Sequence, residues 1–285
     1  MLLFAPVLFV LLWSTGFIGA KYGLPYAEPL TFLSLRYALV ISLMLPLAWL
    51  TGAPWPRERR HWLHIGVSGV LVHGGYLGGV FMAIAHGLPA GVTALLVGMQ
   101  PLLTACGAGW LLGERVSRRQ WAGLVLGLIG VALVVSAKFA AVTALGPMLA
   151  PALLALLSIT GGTLYQKRFC PSFDLRSGAV IQFVPAALLT VSAAFAFESR
   201  HVEWNGHFVF ALLWLVLMLS LGAITLLNLL IRRGSAVNVA SLFYLTPPAT
   251  ALIAWAIFGE TLSAIALVGM ALAVAGVYLA RQVRK

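Results

Sequence analysis

Acidic side chains are scarce in this sequence: 7 of 285 residues are Asp or Glu, and charged residues of both signs make up 9%. Soluble domains carry about 25% charged residues, so a water-facing globular fold is excluded. The acids are Glu28, Glu58, Glu114, Asp174, Glu198, Glu203 and Glu260, and each falls at a predicted helix end or in a loop. A carboxylate at mid-membrane, where many carriers couple to protons or sodium, is missing, and such coupling would need another group. The two cysteines, Cys106 and Cys170, lie in different halves and make no disulfide framework. The sequence also lacks GxxxxGKS/T, HExxH and any cysteine–histidine spacing suited to a metal. ATP hydrolysis within the chain is excluded, no cofactor is called for, and no nucleophile, base and acid form a catalytic set. The N-terminal residues lack the basic stretch of a signal peptide, so 3–20 reads as a retained helix.

Apolar residues fill the space that charge leaves. They make up 61% of the chain, with a mean hydropathy of +1.01. A membrane-crossing helix takes about 20 such residues, and the pattern predicts ten, at 3–20, 30–50, 63–84, 90–111, 119–138, 146–166, 175–197, 208–231, 236–258 and 262–281. The strongest breaks are Gly-Ala-Pro-Trp-Pro at 52–56 and the polar stretch from Glu198 to His207. The fold class is an all-α integral membrane protein.

The net charge of +11 does not point to nucleic acid, because the cations sit in short loops rather than on a basic face. Arg57, Arg59, Arg60, Arg115, Arg118, Arg119, Lys167, Arg168, Arg176, Arg232, Arg233, Arg281, Arg284 and Lys285 follow even-numbered helices. Only Lys21, Lys138 and Arg200 follow odd-numbered ones, and Arg36 lies inside helix 2. The positive-inside bias then puts both termini in the cytoplasm.

The chain also repeats itself. Residues 91–133 align without a gap on 237–279: Pro101 on Pro247, Thr104 on Thr250, Gly113-Glu114 on Gly259-Glu260, Ser117 on Ser263, Gly123 on Gly269 and Gly130 on Gly276. The first copy continues with Arg115, Arg118 and Arg119 where the second has Thr261, Ala264 and Ile265. Five helices per half is an odd number, so the second half enters from the opposite side. Its lost arginines are what that inversion demands. The repeats span 3–138 and 146–281.

Several embedded residues could line a cavity. Gln100-Pro101 and Tyr244-Leu245-Thr246-Pro247-Pro248 sit mid-helix in equivalent helices 4 and 9. Each proline frees a carbonyl four residues back, those of Val97, Phe243 and Tyr244. Such groups need a partner in lipid, so broken helices line cavities or pack inside bundles. Trp13 lies beside Ser14-Thr15-Gly16 in helix 1 and Tyr165 follows a Thr-Gly-Gly-Thr run in helix 6. Helix 3 holds His73-Gly74-Gly75-Tyr76-Leu77-Gly78-Gly79, where glycines either admit a neighbouring helix or leave open volume. His73 is the one histidine near mid-membrane, and Asn228 and Gln182 add weaker polar candidates. Arg36 could snorkel, pair with a loop carboxylate such as Glu260, or attract an anionic group, with structural pairing preferred. Gly113-Glu114 and Gly259-Glu260 close helices 4 and 9, each glutamate accepting from the next helix's first amides. Gly123 and Gly127 in helix 5, with Gly269 and Ala273 in helix 10, suit either an internal contact or a homodimer face.

Taken in order, Trp13-Ser14-Thr15, Glu28-Pro29 with Arg36-Tyr37, Pro101 with Gly113-Glu114, and Pro247 with Gly259-Glu260 resemble the ten-helix EamA-type exporters of the drug/metabolite transporter superfamily. The resemblance covers nearly the whole chain. It implies an inverted-repeat bundle in a bacterial inner membrane that exports small metabolites, often amino acids, through a central cavity lined by helices 1, 3, 4, 6, 8 and 9. The expected cavity residues are Trp13, His73, Tyr76, Gln100, Tyr165, Asn228, Tyr244 and Thr246, with Pro101, Pro247 and Pro248 as kinks that gate. Arg36 is an embedded structural charge; its equivalent in the second half is Gln182, so any role it has is confined to the first. The expected partners are a small-molecule substrate and the lipid bilayer. Uptake of sugar-like or nucleotide-linked metabolites, and a passive channel, are the alternative functions.

Overall fold

Short polar loops divide the apolar chain into ten helical passes, which pairs nearly all backbone polar groups internally, as hydrocarbon requires. The computed structural model describes residues 4–139, 146–170, 172–258 and 262–281. Among them α1 is Ala5–Gly23, α2 Pro29–Leu50, α3 Arg59–Ala85, and α4 is split into Ala90–Val97 and Gln100–Leu112. Next come α5 Arg118–Phe139, α6 Gly146–Phe169, α7 Leu175–Phe197 and α8 Gly206–Arg233. Then α9 starts as Ala236–Ser241, tightens to a 3-10 turn at Leu242–Leu245 and resumes as Thr246–Phe258, and α10 is Ala264–Ala280. Among the described residues nine passes have the length and hydropathy to cross a membrane, by length and composition, and α10 is shorter but apolar.

The helix starts follow local chemistry. Pro29 opens α2, where a missing N–H costs nothing. Asp174, Asn205, Ser235 and Ser263 cap α7, α8, α9 and α10 with side-chain oxygens. Ser117 and Gln120 form a reciprocal capping box at α5 (3.0 and 3.2 Å). Ser117 and Ser263, equivalent in the repeat, thus do the same work in both halves. Gly113 ends α4 at φ +68, a conformation a side chain disfavours.

The breaks in α4 and α9 fall at the prolines, as expected. In α9 the 3-10 turn lets the Thr246 amide donate to the Phe243 carbonyl, one of those that Pro247 and Pro248 free.

Helices equivalent in the repeat run antiparallel. Gly123 of α5 lies on Gly276 and Ala280 of α10, and Gly130 on Gly269 and Ala273. A Cβ built on Gly123 would come 2.6 Å from the Gly276 carbonyl oxygen, and one on Gly269 2.6 Å from that of Gly130. The stripe therefore seats α5 on α10 inside the molecule, and the open question about this face is answered by an internal contact. In the same way α2 lies along α7: Leu30 meets Glu198, Tyr37 faces Phe183 at 5.4 Å, and Pro54 meets Ser177.

One expectation is corrected. Glu114 does not cap the next helix; its Oε1 accepts from the Ala236 amide (3.1 Å), the first of α9 in the other half. The reason is occupancy, because Gln120 and Ser117 already cap α5. Gly259 and Glu260 lie outside the described residues.

Candidate functional site

A cavity of about 30 Å³ lies between α1, α2, α3 and α8, lined by Trp13, Phe17, Arg36, Tyr76, Phe81 and Leu219 among others. That is room for about two waters. Trp13 and Tyr76 stack nearly parallel across it, 6.1 Å between centroids and 11° between planes. Arg36 donates its Nε–H to the Ser220 hydroxyl at 2.8 Å, bridging α2 to α8. Gly16 supplies space, since a Cβ there would press on Leu219 at 3.1 Å.

The two helices that bring Tyr76 and Ser220 to the cavity share a distortion. Val70–Leu77 of α3 and Leu215–Ala223 of α8 are π-helical, and the repeat offset lays one on the other. A π segment adds a residue per turn and is concentrated at functional sites. Sequence reasoning missed both; the nearest signal was the glycine run in helix 3. Those glycines divide their work. Gly75 is pressed against Ser158 of α6 and Gly79 against its backbone, whereas Gly78 has nothing within 4 Å of a built Cβ.

Contacts among the described residues tie helices together at both ends of the bundle. At the cation-poor end Phe32 packs on Phe81 (5.5 Å) and Phe208 (5.1 Å). Glu198, at the end of α7, accepts from the Leu30 and Thr31 amides (2.8 and 2.7 Å), capping α2 from another helix. Ala27 and Val202 form an antiparallel bridge beside it. Glu28 accepts from Ser199 and from the Arg200 amide, and these bonds hold its carboxyl below the usual range. At the cation-rich end the Ser177 hydroxyl donates to the Pro54 carbonyl (2.7 Å) and Arg232 to that of Phe173 (3.0 Å). Arg176 clasps Asp174 at 2.9 Å and lowers its carboxyl.

The expected site residues are not all brought together. Trp13 and Tyr76 line the cavity, and Arg36 joins them there. Tyr165 lies toward the cation-rich end, bonded to His64 at 2.6 Å. Asn228 belongs to a closed amide ring: Gln166 donates to Asn228 (2.9 Å), Asn228 to Gln182 (3.1 Å), and Gln182 to Gln166 (3.2 Å) and to Ser68 (3.0 Å). His73 stacks flat on Phe183 at 4.0 Å, and neither ring nitrogen has a partner. Gln100 donates to Thr163 (3.2 Å) while its Oε1 stays unpaired. The Tyr244 and Thr246 hydroxyls are also buried and unpaired, and a Cβ on Gly127 would meet the Tyr244 ring. The Thr246 carbonyl accepts from Ser14 at 3.3 Å. Among the described residues no group of acids, histidines and cysteines could hold a metal.

The EamA-like transporter family model matches residues 1–136 and 146–282. The chain belongs to the EamA-like transporter family. This EamA-type protein is a multi-pass membrane transporter in which the matched segments meet as antiparallel halves. It is 27% identical to the "Probable amino-acid metabolite efflux pump" of Salmonella typhimurium, over 97% of this chain and 93% of that protein. It is 28% identical to the transporter YvbV of Bacillus subtilis, over 95% and 88% of the two chains. It is 25% identical to the inner membrane transporter YedA of Escherichia coli, over 94% and 87%. A crystal structure at 21% identity superposes with TM-score 0.78 over 97% of this chain and 95% of the other, showing a shared fold.

Proposed function

We propose that this transporter is a secondary carrier that exports small metabolites, amino acids or related compounds, by alternating access between two inverted halves. The observation that carries the reading is a cavity inside a bundle whose helix breaks come in symmetric pairs. The α4 and α9 breaks and the α3 and α8 π segments each recur at the repeat offset. Alternating access needs such paired elements, one set yielding on each side. The names of the relatives in Salmonella typhimurium and Escherichia coli, both efflux pumps for amino-acid metabolites, support the substrate class and direction.

The cations at one end support termini in the cytoplasm, and the inner-membrane name of the Escherichia coli relative supports a bacterial inner membrane. The cavity, at about 30 Å³, is far below the roughly 300–1,000 Å³ of small-molecule sites. Substrate would enter when one end opens, with α4 and α9 bending at Pro101, Pro247 and Pro248. No step calls for an enzyme's catalytic groups. Counterflow in proteoliposomes tests the reading: a trapped amino acid should accelerate entry of its labelled form, with saturation. Uptake linear in concentration and blind to trapped solute would favour a channel instead.

A further inference from the structure

The cavity contains one charge, Arg36, that has no counter-charge among the described residues. Arg36 is 2% exposed, and among the described residues its sole polar partner is the neutral Ser220 hydroxyl. The four remaining guanidinium N–H groups have no protein acceptor there. The other embedded polar cluster, the amide ring, is by contrast satisfied by its own members. The structural pairing with Glu260 expected from sequence falls on a residue outside the description. A buried cation without a counter-charge is costly to keep, and it faces a cavity rather than packed side chains.

We infer that Arg36 anchors the carboxylate of the transported solute, an assignment that rests on the exporter reading above and names the group recognised. Ser220 holds Nε, which leaves Nη1 and Nη2 for a bidentate grip on two carboxylate oxygens. Trp13, Tyr76, Phe17 and Phe81 line the same cavity and suit the solute's carbon skeleton. The lining contains no acid, so an ammonium group would rest on the Trp13 or Tyr76 ring face. Position 182, equivalent to 36, is a glutamine already committed to the amide ring, so there is one anion anchor rather than two. The solute class is therefore amphipathic with one carboxylate, an apolar amino acid among them.

The test compares counterflow of L-leucine and L-phenylalanine with that of their carboxamides, in chloride and in gluconate buffer. The wild type should favour the acids about tenfold or more in kcat/KM, the value of hydrogen bonds to a charged group. Arg36→Gln should erase that preference and Arg36→Lys should keep part of it. Ser220→Ala should raise KM for the acids selectively. The wild-type comparison decides even if Arg36→Gln fails to fold. Equal exchange of acids and amides would overturn the assignment while leaving the carrier standing. Exchange that needs chloride and ignores the solute carboxylate would place an inorganic anion at Arg36 and also overturn it. No exchange of any solute would overturn the exporter reading, and this inference with it.

Discussion

Asn228 shows how one side chain is assigned by its surroundings. From sequence it is a lone polar residue in an apolar run, open to a role in a cavity. In the structure its amide closes a ring with Gln166 and Gln182 that joins α6, α7 and α8, with Ser68 extending it to α3. Asn228→Leu would strand two amides, at a cost of roughly 1–3 kcal/mol, and thermal unfolding in detergent should show a lowered midpoint. Asp174 gives a pH dependence. Its carboxyl is held below its ordinary value of 3.8, first by the Arg176 side chain. A depressed folded value means the contribution is whole above 3.8 and is lost as pH falls through the folded value. The unfolding midpoint should therefore drop on acidification below about pH 4, and Asp174→Asn should remove that part of the drop while leaving the cap geometry.

At the level of elements, the tightest joint is α5 on α10. Both helices bring glycines to the seam, and a Cβ on Gly276 would come 2.6 Å from the Gly123 carbonyl oxygen. Gly276→Val has no direction in which to relax, because the obstacle is backbone. Overpacking of this kind costs about 1–3 kcal/mol; unfolding of the variant in detergent should show it, and the same change at Gly78, which has open space, should cost less. The prolines were legible as breaks because a missing N–H is a local fact. The π segments were not, because nothing local to Val70–Leu77 or Leu215–Ala223 distinguishes five-residue from four-residue closure. The partner of Glu114 was equally hidden, since Ala236 lies 122 residues away.

For the whole molecule, transport should require the contacts at the two ends of the bundle to part in turn. Ala27 and Val202 face each other in an antiparallel bridge, a Cα separation of about 4.5–5.5 Å that a disulfide can span. In a background with Cys106 and Cys170 replaced, Ala27→Cys with Val202→Cys should abolish counterflow under oxidation and recover it with reductant. Undiminished exchange in the cross-linked protein would mean that this end does not open during transport. Trp13 and Tyr76, named from sequence as cavity candidates, line the cavity, whereas Tyr165, named on the same kind of pattern, bonds His64 outside it. The seat of Arg36 was not readable from sequence, because its surroundings are supplied by α3 and α8, and its partner Ser220 is 184 residues distant.

The membrane fold, the ten passes, their breaks and the inverted repeat are all legible in the order of residues alone, because hydropathy, proline and charge act over a few residues and leave a local trace. Which polar groups answer one another emerges from the packing of the helices. That packing closes the amide ring around Asn228, turns the α5 glycines inward onto α10, sends Glu114 across to α9, and leaves Arg36 facing a cavity with no counter-charge among the described residues. Those outcomes depend on which helices become neighbours, and side-chain pairing between separate helices carries no local signature.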